Sequence, residues 1–256
     1  MNNIEFIYNE LKNFIKAAPL NNLSDLNGVK IFDDPIIAVA KADDPLFLEL
    51  KREGVIGPTY LTPLEWFPEG KAVISYFLPF TKEVRESNRP LIQLPSIPWL
   101  YGTTEGDALI DEARKFLIAT VENIGGKAMS PLFDERYGGS GYVRNWSERH
   151  AAFISGIGTF GLNTSLITKL GSAGRIGSVI VDLELEATER PYKDIYEYCS
   201  RCYACFKRCP VNAIDETGKN HVSCEKFVYG FTATVFSPRN GCGKCQTAVP
   251  CECKIP

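Results

Sequence analysis

All nine cysteines of this 256-residue chain lie beyond residue 198. One short segment therefore carries the sulfur chemistry. Residues 199–210 read CSRCYACFKRCP, a C-x2-C-x2-C-x3-C-P run whose short spacings wrap three thiolates round one 4Fe-4S cubane and send the fourth to another. Cys224, Cys242 and Cys245 then follow, with Cys251 and Cys253 close to the end of the sequence. This pattern assigns Cys199, Cys202, Cys205 and Cys251 to one cluster and Cys209, Cys224, Cys242 and Cys245 to a second. Eight ligands leave one thiol spare, and Cys253 stands as the alternative to Cys251. C-x2-C knuckles also bind zinc, but zinc sites use two separated knuckles, not three consecutive spacings ending in proline. An odd number of cysteines without a secretory leader speaks for reduced, metal-bound thiolates over a disulfide framework.

Other residues could also do chemistry. Residues 156–161 read GIGTFG, matching G-x-G-x-x-G, and Asp182 follows the last glycine by about twenty residues, the layout of a dinucleotide fingerprint. A buried strand should precede such a loop, whereas RNWSERHAAFIS is charged and helix-like. A glycine turn that binds nothing is a further reading. The stretch SPLFDERYGGSGYVRNW offers Asp134, Tyr137 and Tyr142 as proton donors and Arg144 as an anchor for an anion or a cofactor side chain. Of the two histidines, His150 reads as a packing residue and His221 as a surface residue near the second cluster. Trp66, Trp99 and Trp146 suit a core or an apolar cofactor face.

The elements that must position these groups follow from periodicity. Ile4, Ile7, Leu11, Phe14 and Ile15 fall on one helical face over residues 4–18. Pro35–Ala40, Ala72–Leu78 and Ile176–Leu183 have the length and composition of strands. Leu109, Ala113, Phe116, Leu117, Val121 and Ile124 predict a helix over 105–124, opened by Thr104 and closed by Gly125. TERPYKD (188–194) reads as a linker between a mixed α/β (α+β) domain over 1–190 and a small ferredoxin-like domain over 191–256. The second part holds nine Lys/Arg against six Asp/Glu, a net +3, which leaves the first at −6 of the chain's total of −3. No basic field favours a large polyanion such as tRNA, no apolar run would span a membrane, and the expected location is the cytoplasm.

NWSERHAAFISGIGTFGLNTSLIT, then GSVIVDLELE, the cysteine run and GCGKCQ together resemble the epoxyqueuosine reductases and their relatives, the reductive dehalogenases. The resemblance is densest over 141–253. It implies a nitroreductase-like domain holding base-off cobalamin beside a ferredoxin-like domain with two 4Fe-4S clusters, supplied by a low-potential ferredoxin or flavodoxin. It also implies that Arg144, Asn145, Gly156, Gly158, Thr159, Phe160, Gly161, Asn163 and Ser165 contact the corrin. The family's catalytic Asp, seven residues before Glu148-Arg149, is replaced by Gly141, which turns attention to Tyr142 and Asp134 as proton donors. The expected function is reductive chemistry on a small substrate, the alternatives being a corrinoid-reducing or corrinoid-handling protein and a flavin- or NAD-dependent reductase.

Overall fold

The computed structural model describes residues 3–140 and 143–256. Its centre is a four-stranded sheet built from β1 (Ile36–Lys41), β2 (Ala72–Pro79), β3 (Ala128–Met129) and β6 (Gly174–Val181), in spatial order β1-β2-β6-β3. Every pairing is antiparallel, with Ile74 opposite both Val39 and Val179. All eight residues of β2 are buried, and successive side chains serve opposite faces of the sheet. Ala72, Ile74, Tyr76 and Leu78 enter one core, with Ile7, Leu11 and Ile15 of α1 (Asn3–Ala17) and Leu109, Ala113 and Leu117 of α3 (Ile97–Asn123). Val73 and Phe77 turn to the opposite face, where α4 (Glu148–Ile154) supplies Ala151, Ala152 and Ile154. A sheet covered on both faces explains why the second strand reads as a nearly continuous apolar run, interrupted by Ser75.

The expected elements form, with informative shifts. The strand placed at 176–183 lies at 174–181. The helix expected to open at Thr104 begins eight residues earlier, after Ser96, whose hydroxyl caps the Trp99 N–H. Pro98, Gly102 and two threonines mask this first part in the sequence, and tertiary packing creates it. A Cβ on Gly102 would lie 2.8 Å from the Phe80 ring, and one on Gly106 would lie 3.0 Å from Phe32. The short helix α2 (Lys82–Ser87), capped by Thr81, completes this side.

Residues 188–192 do not behave as a free linker. Thr188 pairs with Val39 through both its backbone and its hydroxyl, Arg190 forms an ion pair with Asp44 at 2.8 Å, and the Tyr192 hydroxyl donates to the Phe153 carbonyl. The chain thus leaves the sheet held down, and this fixes the start of the cysteine-rich part. That part folds around short helices, α5 (Ala204–Arg208) and α6 (His221–Glu225), and loops.

GIGTFG is not a phosphate loop. Gly156 closes α4 at φ +95°, and a Cβ there would lie 2.9 Å from the Glu189 carbonyl oxygen. Gly158 opens β4 (Gly158–Phe160), which pairs antiparallel with β5 (Leu166–Thr168). A hairpin preceded by a helix, next to an antiparallel sheet, has neither the crossover nor the helix N-terminus of a dinucleotide fold.

Candidate functional site

The cysteine run is wound by two left-handed residues, Arg201 (φ +51°) and Tyr203 (φ +56°), before α5 carries Cys205 back inward. Cys199, Cys202, Cys205 and Cys251 line one cavity, together with Asn163 and Ile167 of the β4–β5 hairpin. The Ser172 hydroxyl donates to the Cys251 sulfur at 3.7 Å. Burial, reinforced by the neighbouring thiols, pushes Cys205 up to about 12, and burial raises Cys251 to about 11. Cys253 lies exposed outside the cavity.

Cys209, Cys224, Cys242 and Cys245 form a second group, each within electrostatic reach of Cys242. Cys209 accepts the Ala213 N–H at 3.2 Å as the chain leaves α5, and Cys224 sits on α6, capped by Asn220. Burial raises Cys245 and pushes Cys242 up to about 12. Among the described residues, no three His, Cys, Asp or Glu side chains converge as tightly as a single ion requires. A cubane is larger than an ion and holds its thiolates further apart.

The GCGKCQ loop is fastened to the sheet domain. Gly243, at φ +63°, lies so close to the Trp99 indole that a Cβ would fall 1.9 Å from the ring. Lys244 is 1% exposed, and its ammonium donates to the carbonyl and side-chain oxygens of Asn88. Arg208 donates to the same carbonyl at 3.2 Å, while the Asn88 amide donates to the Cys242 carbonyl at 3.0 Å. Two cations thus meet at one peptide oxygen behind the second thiol group. Burial, then Arg208, lowers Lys244 to about 8. Next to this network, the buried Glu252 carboxylate accepts from Arg85 at 3.0 Å and Arg89 at 2.8 Å, which locks the last turn onto α2.

Two further cations approach the second group from the other side. Arg149, in the first turn of α4, is solvent-exposed, yet desolvation and Arg175 lower its pKa while Cys245, Tyr229 and Cys224 oppose the shift. Lys219 bonds to Cys224, and the attraction of Cys245 and Cys224 outweighs its burial, so its pKa rises.

In sequence, residues 192–215 match the family described as 4Fe-4S binding domain, and no curated protein matches the chain. In structure, an epoxyqueuosine reductase from Bacillus subtilis matches 98% of this chain and 66% of its own, at 20% identity and a TM-score of 0.53. An epoxyqueuosine reductase solved with an epoxyqueuosine-modified tRNA stem loop matches over the same shares at 18% identity and 0.56. A catabolic reductive dehalogenase in complex with 3-bromo-4-hydroxybenzoic acid matches 86% of this chain and 30% of its own, at 13% identity and 0.59. The fold is that of the epoxyqueuosine reductases and reductive dehalogenases. The chain spans about two thirds of the length of those epoxyqueuosine reductases and under a third of the dehalogenase.

Within this epoxyqueuosine reductase-like fold, several residues singled out in the sequence have other occupations. Asp134 accepts three hydrogen bonds from Arg136, whose guanidinium also reaches the Glu65 and Trp66 carbonyls and lies over the Trp66 ring. The Arg136 bonds hold the Asp134 carboxyl down at about 2, so it is ionised at neutral pH. Asn145 staples the same loop, accepting from the Gly138 N–H and donating to the Arg136 carbonyl. Tyr137 is half-buried, Arg144 is exposed, and Gly141 and Tyr142 lie outside the described residues.

The hairpin residues face the cysteine-rich part. Thr159 is fully buried and accepts the Tyr198 N–H, and Asn163 donates to the Cys245 carbonyl and accepts the Ser165 N–H. Phe160 packs on the His150 ring at 4.8 Å. These polar groups help to position the thiol loops. His150 is a packing residue as expected, with burial lowering it to about 4 and Ser147 beside its Nδ1. Trp146 is also a core residue, stacked on Phe47 and Tyr60.

Sequence reasoning missed two features. Lys244 and Arg208 looked like ordinary basic residues of a mildly basic segment. Glu148 receives Arg114 at 2.9 Å and the Ser178 hydroxyl, forming a buried ion pair beneath the sheet. Its trace in the sequence is Glu148 among the charged residues that open the helix ERHAAFI.

Proposed function

We propose that the chain is an oxidoreductase that holds two 4Fe-4S clusters and passes single electrons to a base-off cobalamin for reductive chemistry. The observation that carries the two-cluster reading is the charge behind the second thiol group. Lys244 is buried with only amide oxygens as partners, and Arg208 shares its carbonyl. A buried cation such as Lys244, with no carboxylate bonded to it, needs another anion close by, and a cubane carried by four thiolates would provide one. The same reasoning applies to the thiols themselves, since buried neighbours that resist ionisation become stable thiolates once iron sits among them.

For cobalamin, the fit rests on the exposed surface beside Arg149. Arg149 is solvent-exposed on α4, and Tyr229, 65% exposed, lies within its electrostatic reach. An aromatic face and a cation suit a broad ring rimmed with amides. Bound there, cobalamin would supply a cobalt centre that accepts electrons one at a time and acts on the substrate. The chain's own part is to position that ring through α4 and to keep both thiol groups close through Asn163, Trp99 and Asn88.

The electron source in this reading is an external low-potential one-electron carrier, the substrate a small molecule, and the location the cytoplasm. No helix among the described residues is long and apolar enough to cross a membrane. A second reading, reduction or handling of corrinoid without a substrate of its own, is favoured by the commitment of Asp134 to Arg136 and by Gly141 at the family's Asp position.

Anaerobic purification with iron analysis and optical and EPR spectra in the presence of added cobalamin tests the proposal. About eight iron per chain and a base-off cobalt signal are expected. Stoichiometric zinc or bound flavin would overturn it, and failure to bind any corrinoid would sink the cobalamin part. Faster cobalt reoxidation with an organohalide or an epoxyqueuosine stem loop would identify a substrate; no acceleration would leave the second reading.

A further inference from the structure

Of the eight cysteines assigned to clusters, Cys202 alone is exposed, and the other seven are partly covered. It stands between Arg201 and Tyr203, both exposed and both left-handed, and all three border the first cavity. Ile167 and Cys251 border the same cavity. Beyond Ile167 the chain turns at Lys169 and Leu170, and Gly171 then packs on the Cys253 backbone so closely that a Cβ has no room. The Ser172 N–H donates to the Cys251 carbonyl at 2.8 Å and the Ala173 N–H to the Glu252 carbonyl at 3.2 Å. These contacts hold Lys169, Leu170 and Lys254, all exposed, at the same end of the cavity. The surface there is apolar and positive, with Tyr203 38% and Leu170 39% exposed beside Lys169, Arg201 and Lys254. Glu252 is buried against Arg85 and Arg89, while Asp194 and Glu197 accept backbone N–H groups of their own turn.

We propose that this surface docks an acidic one-electron carrier protein, whose electron enters the chain at Cys202. This rests on the two-cluster reading above. Electron transfer weakens steeply with distance, so a protein donor must come up to an uncovered ligand, and Cys202 is the one that offers itself. The reduced carrier loses one electron and the first cluster gains it; no bond or proton changes hands. Exposed cations round an apolar centre speed the approach of an oppositely charged protein and hold it only briefly. That suits a redox encounter, which needs a patch burying less than about 1,200 Å² in total.

Anaerobic stopped-flow reduction of the iron-loaded full chain tests the proposal. The donors are a pre-reduced acidic 2Fe-2S ferredoxin and reduced methyl viologen, a small cation that needs no docking surface. With ferredoxin, the second-order rate constant should fall as salt is raised. Lys169→Glu and Lys254→Glu should each lower it about three- to tenfold at low salt, and Lys16→Glu on α1, the same charge change elsewhere, should lower it far less. Methyl viologen should reduce all three variants no more slowly than wild type, which separates docking from damage to the cluster. A ferredoxin rate insensitive to salt, or one that falls equally in all three variants, would overturn the proposal while leaving the two-cluster reading intact. So would a dimer in solution that Tyr203→Glu breaks, because a second copy would then own the surface. Iron near four per chain, or a chromophore that methyl viologen does not bleach, would remove the two-cluster reading, and the proposal with it.

Discussion

The Lys244 ammonium donates to both oxygens of Asn88, at 2.7 Å to the carbonyl and 2.9 Å to the side chain. Asn88 ends α2 in the sheet domain and Lys244 lies between two thiols of the second group, so one asparagine joins the two halves of the molecule. Its side chain also accepts the Ser96 N–H that opens α3 and donates to the Cys242 carbonyl. Asn88→Ala keeps the carbonyl but strands these partners, at about 1–3 kcal/mol for each buried group left unpaired. The variant should show a lower thermal midpoint than wild type and faster iron loss to a chelator. Unchanged values in both would show that water replaces the side chain.

Cys251 and Cys253 separate cleanly. Cys251 borders the first cavity and receives the Ser172 hydroxyl, whereas Cys253 is exposed. Cys253→Ser should retain full iron content and both EPR signals. Cys251→Ser should lose about half the iron, or show an altered spectrum for one cluster only. The reverse result would exchange the two assignments.

The cysteine code was readable because ligand spacing is local: three thiols within seven residues can meet only around a shared centre. The sheet was readable for a similar reason, since Ala72–Pro79 is almost wholly apolar, broken by Ser75, and suits a strand buried on both faces. What escaped was long-range. Residues 97–104 carry Pro98 and Gly102 and look like poor helix, yet they form the platform on which the cysteine-rich part docks, with Trp99 under Gly243 and Thr103 bonded to the Asn240 carbonyl. Their helicity comes from Phe80 and Phe32, which fill the spaces left by the helix glycines. GIGTFG misled in the opposite sense, because glycines that permit close backbone approach serve a hairpin as well as a ligand.

Asp134 gives a prediction in pH. Its folded-state pKa lies at about 2, below the ordinary 3.8, because Arg136 bonds favour the carboxylate. A depressed carboxyl adds stability that is fully present above about pH 4 and is lost as pH falls through about 2. Asp134→Asn should therefore lower the melting temperature at pH 7, and the gap from wild type should close towards pH 2; a gap independent of pH would deny the ion pair its role. Because the group is ionised at neutral pH, the same variant should retain cobalamin reduction if it stays folded, and loss of reduction in a folded protein would return Asp134 to the chemistry.

Gly243 tests whether the docking of the two halves sets the second cluster. Its left-handed backbone costs an L-residue roughly 1–2 kcal/mol, and a new methyl would collide with Trp99, adding about 1–3 kcal/mol of overpacking. Neither cost can be relieved locally, because the indole is 1% exposed and the loop is fixed on its other side by Lys244. Gly243→Ala should thus lose the second cluster first, seen as about four iron remaining with the Cys224 signal absent. Gly138→Ala, where a methyl meets no atom within 4 Å, is the control and should keep both clusters. Trp99→Leu opens space under the loop and removes only the steric part of the penalty. The double variant should therefore recover part of the lost iron, a coupling expected only of residues in contact. If Trp99→Leu gives no recovery, the defect lies in the backbone of the thiol loop and not in its docking on α3.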